Sequence, residues 1–306
     1  MRPLGHALAA ALIAALAANP ARADDLTGTL KKVRDNNRIV LGVRDTATPF
    51  SYIDQNQKVV GFAVDICLKI AEAVKRELKM PNLQVGMEFV NSSSRIPLMT
   101  NGTVDLECGT TTNNADRQRL VAFTNTHFLT ATRYVSRKDQ HIDRVDDLRG
   151  KTVASVAGST NIVMLNKANT ERKLGATVLA AKDVPEGFLL VETGRAAAFV
   201  MDDVQLAVVA AQSKDPGAYV ISRDTLSNPE PYGIMLRKDD APFKAVVDKA
   251  TADLYRSPEI TAIYERWFLK PVPPRGLTYS WPLTGDLRWA FANPTDSPDP
   301  AVYAGH

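Results

Sequence analysis

Strands and helices alternate along this sequence in two separate stretches. The apolar run Arg38–Arg44 predicts a buried strand, Val64–Leu78 carries apolar residues at helical spacing, and Leu83–Phe89 alternates apolar with polar residues as a strand does. The same succession begins again near Asp147, with a further strand over Thr152–Val156. Because alternating strands and helices form a mainly parallel sheet flanked by helices, each stretch predicts one α/β unit.

The chain has to pass between these two units twice. The candidate crossings lie near Thr130–Ser136 and near Ser227–Gly233. We therefore expect two lobes joined by two crossover segments. Residues 24–132 and 229–306, which include a proline-rich C-terminal tail, form lobe 1, and residues 133–228 form lobe 2. Two connections of this kind allow lobes to close around a ligand.

The amino-terminal residues predict export. Arg2 precedes the apolar run Ala7–Ala18, and the A-x-A triplet that ends at Ala23 matches a cleavage site. The alternative is a membrane anchor, but a spanning helix needs about 20 apolar residues and this run is shorter. We predict a secretory signal peptide over residues 1–23, cleavage after Ala23, and a periplasmic protein.

The charge balance argues against two classes of partner. The formal net charge of the whole chain is +3, and cleavage removes Arg2 and Arg22 but no acid, so the mature chain carries +1. A near-neutral chain without a basic run gives no reason to expect nucleic acid or a membrane surface as the partner. We expect a monomer that binds a small molecule.

The two cysteines, Cys67 and Cys108, both lie in the mature chain. In an oxidising compartment, an even pair of cysteines is compatible with a disulfide. The alternative is two buried free thiols. Their spacing matches no zinc motif, so we expect no metal site.

The sequence lacks the usual signatures of catalysis. It contains no G-x-S-x-G, no H-E-x-x-H, no phosphate-binding loop and no dinucleotide fingerprint. The histidines of the mature chain, His127, His141 and His306, are scattered. We therefore expect a binding protein rather than an enzyme, with no catalytic residue and no cofactor.

Polar residues follow several of the predicted strands, and ligands of open α/β sheets bind at these strand ends. The candidates are Arg44, Ser92, Arg95, Thr110, Thr112, Arg117, Thr160 and Asp202. Arginine binds carboxylates through a bidentate fork, and the amino ends of helices also favour anions. The alternative is that the arginines are exposed or held in ion pairs.

Four segments carry a resemblance to a known family. The segments GVRDTATPFSY, NGTVDLECGTTTNNADRQR, FVMDDVQLA and YGIMLRKDD resemble the periplasmic glutamate/aspartate-binding proteins of ABC importers. The likeness extends from about Leu26 to the tail. It implies the type II periplasmic-binding fold, an acidic amino acid as ligand, and the membrane permease of an ABC importer as partner.

The resemblance also implies roles for individual residues. Arg117 would pair with the α-carboxylate of the ligand and Asp202 with its ammonium group. Arg44 and Arg95 would hold the side-chain carboxylate. Three arginines and one aspartate would thus face two carboxylates and one ammonium group, and this balance favours an anionic ligand.

This chain departs from the family pattern at two positions. Thr110 stands where the family often has serine, which keeps the hydroxyl group. Val184 stands where the family often has a histidine that contacts the side-chain carboxylate, and valine donates no hydrogen bond. Val184 therefore leaves open which ligand is preferred: glutamate, aspartate, or a related ligand such as glutamine or asparagine.

Two further functions are compatible with the same fold. Some cyclohexadienyl dehydratase-like enzymes share it, and a fold alone does not decide function. Such an enzyme needs a positioned acid or base, and only Asp202 is a candidate here. A ligand-sensing subunit of a membrane receptor would need the same closed, liganded form as a transport protein.

Overall fold

A computed structural model describes residues 26–306 of the chain. The predicted signal peptide and its cleavage site lie outside these residues. No helix in the described part is long and apolar enough to cross a membrane.

The elements follow one another as expected for two α/β units. In the first part of the chain they are α1 (Gly28–Asn36), β1 (Arg38–Val43), β2 (Thr46–Ala47), β3 (Ser51–Ile53), β4 (Val59–Val60), α2 (Phe62–Glu77), β5 (Gln84–Phe89), α3 (Arg95–Thr100), β6 (Leu106–Glu107), α4 (Ala115–Gln118), β7 (Val121–Phe123) and β8 (Phe128–Thr130). The second part contains β9 (Thr132–Arg137), β10 (Thr152–Val156), α5 (Thr160–Glu171), β11 (Thr177–Ala181), α6 (Val184–Glu192), β12 (Ala198–Asp202), α7 (Asp203–Gln212) and β13 (Tyr219–Ile221). The chain ends with β14 (Glu230–Tyr232), β15 (Met235–Arg237), α8 (Ala241–Tyr255), α9 (Pro258–Phe268) and α10 (Gly285–Ala292).

Two five-stranded sheets form the centres of the two lobes. The sheet of lobe 1 has the order β5-β1-β6-β15-β7, and that of lobe 2 has the order β11-β10-β12-β9-β13. In each sheet the fourth strand in this order runs antiparallel to its neighbours, while the first three are parallel. The predicted architecture of two mainly parallel α/β lobes is confirmed.

The lobes are connected by β8 and β14, which pair as a two-stranded antiparallel sheet. The sequence predicts one strand over Tyr232–Leu236, and this prediction is wrong. The structure divides the segment at Gly233 and Ile234, so that Tyr232 belongs to the connection and Met235 to the sheet of lobe 1. A Cβ at Gly233 would lie 3.0 Å from the Cβ of Phe123, a tight contact that favours glycine at this turn. Apolar residues on both sides of the turn make the pattern look continuous.

Aromatic side chains of lobe 1 pack against both connecting strands. The Phe50 ring lies 4.9 Å from that of Phe128 on β8 and 5.6 Å from that of Tyr232 on β14. The sequence predicts a loop over Pro49–Tyr52, but Ser51–Ile53 forms a strand of a small sheet with β2 and β4. These packed rings fix the start of both connections in lobe 1.

The C-terminal tail packs against lobe 1, as the sequence predicts. Leu287 and Phe291 of α10 and Tyr303 beyond it are buried in the core of this lobe. Their burial ties the tail to the body of the lobe by the hydrophobic effect.

Cys67 and Cys108 form a disulfide, so the first of the two alternatives is confirmed. The bond joins α2 to the residue that follows β6, with Cα atoms 6.1 Å apart. Both cysteines are fully buried. The disulfide therefore fixes the end of β6 close to the edge of the sheet where Thr110 lies.

Candidate ligand-binding site

A narrow cavity with an internal volume of about 10 Å³ lies between the lobes, at the carboxyl ends of β1, β6, β10 and β12. Eight of the nine predicted binding residues border it: Arg44, Ser92, Arg95, Thr110, Thr112, Thr160, Val184 and Asp202. Four residues outside the predicted set complete its lining: Ser159, Asn161, Met201 and Gln205. An internal volume of this size holds about one water molecule, so the two lobes lie close together around the site.

The wall from lobe 2 is made by the amino ends of three helices. Ser159 and Asp183 are the N-caps of α5 and α6, and the side chain of each accepts a backbone N–H of its helix. The N-cap of α7 is Asp202. Thr160 and Val184 are the first helical residues after two of these caps. The positive ends of the helix dipoles thus point to the cavity, and they favour an anion there.

The wall from lobe 1 contains two buried arginines. Arg44 follows β1 and Arg95 begins α3, with 3% and 2% of their surface exposed. Arg95 donates from Nη1 to the Thr110 carbonyl at 3.1 Å and to the Thr111 hydroxyl at 2.6 Å. Within residues 26–306, neither arginine has an ion-pair partner, and the Nε of each lacks a hydrogen-bond acceptor. Burial, together with the charge of Arg95, lowers the pKa of Arg44 to about 10.

A buried cation that forms no direct ion pair is costly, and although the buried carboxylate of Glu107 lies near Arg44, this pair of arginines favours an anion in the cavity. The alternative that these side chains are exposed or tied in ion pairs is wrong for both. Arg95 lies close enough to Arg44 that its charge contributes to the lowered pKa of Arg44. An anion with two oxygens can meet both guanidinium groups at once.

Asp202 is held by two neighbours. Its Oδ1 accepts a hydrogen bond from Asn161 Nδ2 at 2.8 Å, and its Oδ2 accepts one from the Tyr232 hydroxyl. Burial and the nearby Glu230 raise the pKa of Asp202 to about 7. A cationic group of a ligand would offset both effects, because an adjacent positive charge favours the ionised carboxylate.

Arg117 is the one predicted residue that does not border the cavity. It lies on α4, where Asn114 caps the helix by accepting the Arg117 backbone N–H at 2.9 Å. Its guanidinium donates to the Thr112 carbonyl at 2.9 Å and approaches the Gly158 carbonyl of lobe 2 at 3.5 Å. Arg117 is 8% exposed, and burial lowers its pKa to about 9. It therefore lies directly behind Thr112, which does border the cavity.

Residues 39–270 match the family model of bacterial extracellular solute-binding proteins, family 3. The chain belongs to this family. It is 46% identical to the L-glutamate/L-aspartate-binding protein of Pseudomonas aeruginosa, over 97% of this chain and 98% of that protein. It is 42% identical to the glutamate/aspartate import solute-binding protein of Escherichia coli, over 94% and 96% of the two chains.

Among solved structures, an ancestral arginine-binding protein bound to arginine has a similar fold. The TM-score is 0.68 at 27% identity, and the match covers 76% of this chain and 98% of that one. The type II periplasmic-binding fold is thereby confirmed. The family and both relatives are solute-binding proteins rather than enzymes. The prediction of a binding protein that is not an enzyme is therefore supported.

Two buried acids of this solute-binding protein, Glu107 and Glu230, are missing from the count of binding-site charges made from the sequence. Glu107 on β6 is fully buried and accepts the Thr111 hydroxyl at 2.6 Å. Glu230 on β14 is 5% exposed. The count of three arginines and one aspartate therefore omits two acids. The burial of Glu107 could have been predicted, because an acid inside a short apolar strand has to be buried. Glu230 lies in a connecting segment, where no sequence pattern indicates burial.

Glu230 joins hydroxyl groups of both lobes. Its Oε2 accepts from Thr112 of lobe 1 and from Thr160 of lobe 2, each at 3.0 Å, and its Oε1 accepts from Thr132 at 2.7 Å. The two threonine hydroxyls that meet on Oε2 are 3.3 Å apart. In the solute-binding protein, the connecting strand thus holds the two lobes together at the edge of the cavity.

Proposed function

We propose that this solute-binding protein captures an acidic amino acid, glutamate or aspartate, in the cavity between its lobes and delivers it to the permease of an ABC importer. One observation carries this proposal: Arg44 and Arg95 are both buried at the cavity, and neither forms a direct ion pair among the described residues. The L-glutamate/L-aspartate-binding protein of Pseudomonas aeruginosa and the glutamate/aspartate import protein of Escherichia coli support the choice of ligand.

The proposal includes the organisation of the chain. The protein is exported, loses residues 1–23 by cleavage after Ala23, and acts as a monomer in the periplasm. Lobe 1 consists of residues 24–132 and 229–306, and lobe 2 of residues 133–228. The family of extracellular solute-binding proteins supports a site of action outside the cytoplasm.

The ligand lies between groups of opposite charge. Thr112 faces its α-carboxylate, Arg117 pairs with that carboxylate after turning from the Thr112 carbonyl toward the cavity, and Asp202 holds its ammonium group. The side-chain carboxylate lies between Arg44 and Arg95, with the amino ends of the lobe 2 helices on its other side. The two arginines at the cavity and the helix dipoles thus favour a carboxylate at the side-chain end of the ligand.

Closure of the lobes follows from this arrangement. Arg117 belongs to lobe 1 and Asp202 to lobe 2, so only the closed form contacts both ends of the ligand. A ligand shifts an open–closed equilibrium by the difference between its affinities for the two forms. The contacts of Thr160 in lobe 2 with Glu230 and Thr112 in lobe 1 are additional contacts that exist only while the lobes are together.

Calorimetric titration of the mature protein with the twenty common amino acids tests the proposal. We expect glutamate and aspartate to bind more tightly than any neutral or basic amino acid. Protein that has first been unfolded and refolded should be used, because this removes any ligand carried through purification. If no amino acid binds, or if arginine or lysine binds more tightly than glutamate, the proposal is wrong.

A preference that extends to glutamine and asparagine is a second candidate, and Val184 favours it. Val184 is 6% exposed and borders the cavity, where its isopropyl group offers no hydrogen-bond donor. A site that lacks one donor to the distal carboxylate discriminates less strongly between an acid and its amide.

Val184→His is expected to raise the preference for glutamate over glutamine. The new imidazole can donate to the distal carboxylate, and a hydrogen bond to a charged group is worth about 1.5–3 kcal/mol. The increase should be larger at pH 6 than at pH 8, since histidine is protonated at the lower value and adds a positive charge. Competition calorimetry with the two ligands at both pH values measures the change.

Val163→His is a matched control for this substitution. Val163 lies on α5 and is 61% exposed, so a histidine there adds the same group far from any buried contact. The control should leave the ratio of glutamate to glutamine affinity unchanged. An unchanged ratio in the Val184 variant as well, at both pH values, would show that this position does not face the ligand.

A further inference from the structure

We propose that Gln205 is a specificity-determining residue that contacts the side-chain end of the bound amino acid. Its amide group can serve either a carboxylate or a carboxamide. This inference rests on the proposed function, because it assigns one further contact in the same cavity.

Gln205 is buried at the cavity with an incomplete set of hydrogen bonds. It lies on α7, is 2% exposed and borders the cavity together with Val184. Its Nε2 donates to the Thr110 hydroxyl of lobe 1 at 3.3 Å. Its Oε1 has no hydrogen-bond partner among residues 26–306. A buried amide oxygen without a partner is unfavourable, so this atom is best explained by a donor that arrives with the ligand.

At the start of α7, the side chains of Asp202 and Gln205 do not bond to the backbone of their own helix. Asp202 at the N-cap and Gln205 three residues later match the spacing of a capping box, in which both side chains bond the backbone of their own helix. Asp202 makes no such bond here. Its carboxylate instead accepts from Asn161 and Tyr232, and the amide of Gln205 reaches Thr110. Both side chains therefore serve the cavity rather than the helix.

The neighbours of Gln205 place it near the distal end of the ligand. The carbonyl of Thr110, its hydrogen-bond partner, accepts from Nη1 of Arg95. Gln205 and Val184 together also border a second pocket, which opens from the cavity wall to the surface near Asp45. Gln205 thus shares Thr110 as a hydrogen-bond partner with the arginine assigned to the side-chain carboxylate, and it shares two pockets with Val184.

The chemistry of the amide explains how one residue can serve two kinds of ligand. The hydroxyl of Thr110 can accept or donate a hydrogen bond, so either end of the Gln205 amide can face it. With Oε1 towards the ligand, Gln205 accepts from the NH₂ group of a carboxamide. With Nε2 towards the ligand, it donates to a carboxylate. Val184 can do neither, so Gln205 supplies the polar contact on this wall.

A purely structural role makes a different prediction. The bond from Gln205 to Thr110 joins the two lobes, and its loss alone would weaken the closed form for every ligand alike. Gln212 provides the comparison. It lies on the same helix and donates to the Tyr279 hydroxyl of the C-terminal tail at 2.9 Å, but it does not border the cavity.

The test is Gln205→Leu, which keeps a side chain of similar size without the amide, with Gln205→Met as a second variant. Calorimetry measures the affinities for glutamate and glutamine. Displacement of bound glutamate measures the affinity for 2-aminopentanoate, which has the same backbone and an apolar side chain. Loss of the bond to Thr110 should weaken all three ligands by one factor, and we expect glutamate and glutamine to lose about three- to tenfold more affinity than 2-aminopentanoate. Gln212→Leu should change the three affinities by one common factor.

An equal loss for all three ligands in both Gln205 variants, or no loss for any of them, would overturn the inference. That result would leave the proposed function intact, provided that the parent protein binds glutamate or aspartate. If the parent protein binds no amino acid, the proposed function itself is wrong, and the contact assigned to Gln205 is wrong with it.

Discussion

Replacing Arg117 or Asp202 by alanine is expected to abolish measurable binding of every amino acid. These two residues meet the α-carboxylate and the ammonium group in the proposed arrangement, and all amino acid ligands share both groups. Arg117 and Asp202 are both buried, at 8% and 2% exposure. Removal of one partner from a buried charge pair typically costs about 3–5 kcal/mol, which weakens binding about 100- to 5,000-fold. Calorimetric titration of the folded variants measures the loss.

Arg119→Ala is the matched control for Arg117→Ala. Arg119 lies two residues further along the chain and carries the same charge, but its side chain is exposed and pairs with Asp116. The control therefore removes one positive charge without touching the cavity, and we expect unchanged affinity. The outcome that contradicts the assignment is an Arg117 variant that binds glutamate nearly as well as the parent. For Asp202, the conservative change to asparagine keeps the shape and should still weaken binding strongly.

The disulfide between Cys67 and Cys108 is expected to raise the free energy of unfolding by about 4 kcal/mol. It joins residues that are 41 positions apart, and closing a loop of this length restricts the unfolded chain by that amount in the chain-entropy model. Denaturant unfolding of the parent protein and of the double variant Cys67→Ala/Cys108→Ala measures the difference. The parent should unfold at a clearly higher denaturant concentration.

The same experiment contains its own control. Addition of a reducing agent during unfolding should lower the stability of the parent and leave the double variant unchanged. Thiol titration of unfolded, unreduced parent protein should find no free sulfhydryl group. Equal stability of the parent with and without reductant, at complete reduction, would show that the bond contributes nothing to the equilibrium.

Part of the site could be predicted from sequence because parallel strands end at the same edge of a sheet. Arg44, Thr110 and Asp202 each lie at or just after the end of a predicted strand, and the structure brings them to one cavity. The pattern of strands indicates where a side chain lies but not which ligand group it binds. The individual roles of Arg117 and Asp202 come from the family resemblance and remain predictions.

Other residues of the site could not be predicted in this way. Glu230 lies in a connecting strand and Gln205 inside a helix, so neither follows a strand of the main sheets. Gln205 borders the cavity, and Glu230 binds Thr112 and Thr160 at its edge, only because the lobes fold against each other, which no local sequence pattern indicates. The break at Gly233 escaped for a related reason, since the close approach of Phe123 depends on the packed lobe.

The strand β14 combines two tasks that engineers of ligand sensors usually try to separate. Glu230 and Tyr232 lie two residues apart and so point to the same side of the strand. One holds threonines of both lobes, and the other holds Asp202. Redesign of the movement at this strand would therefore disturb recognition as well. The wall formed by Val184 and Gln205 lies outside the connection, and a fluorescent reporter for a new ligand would best be evolved there.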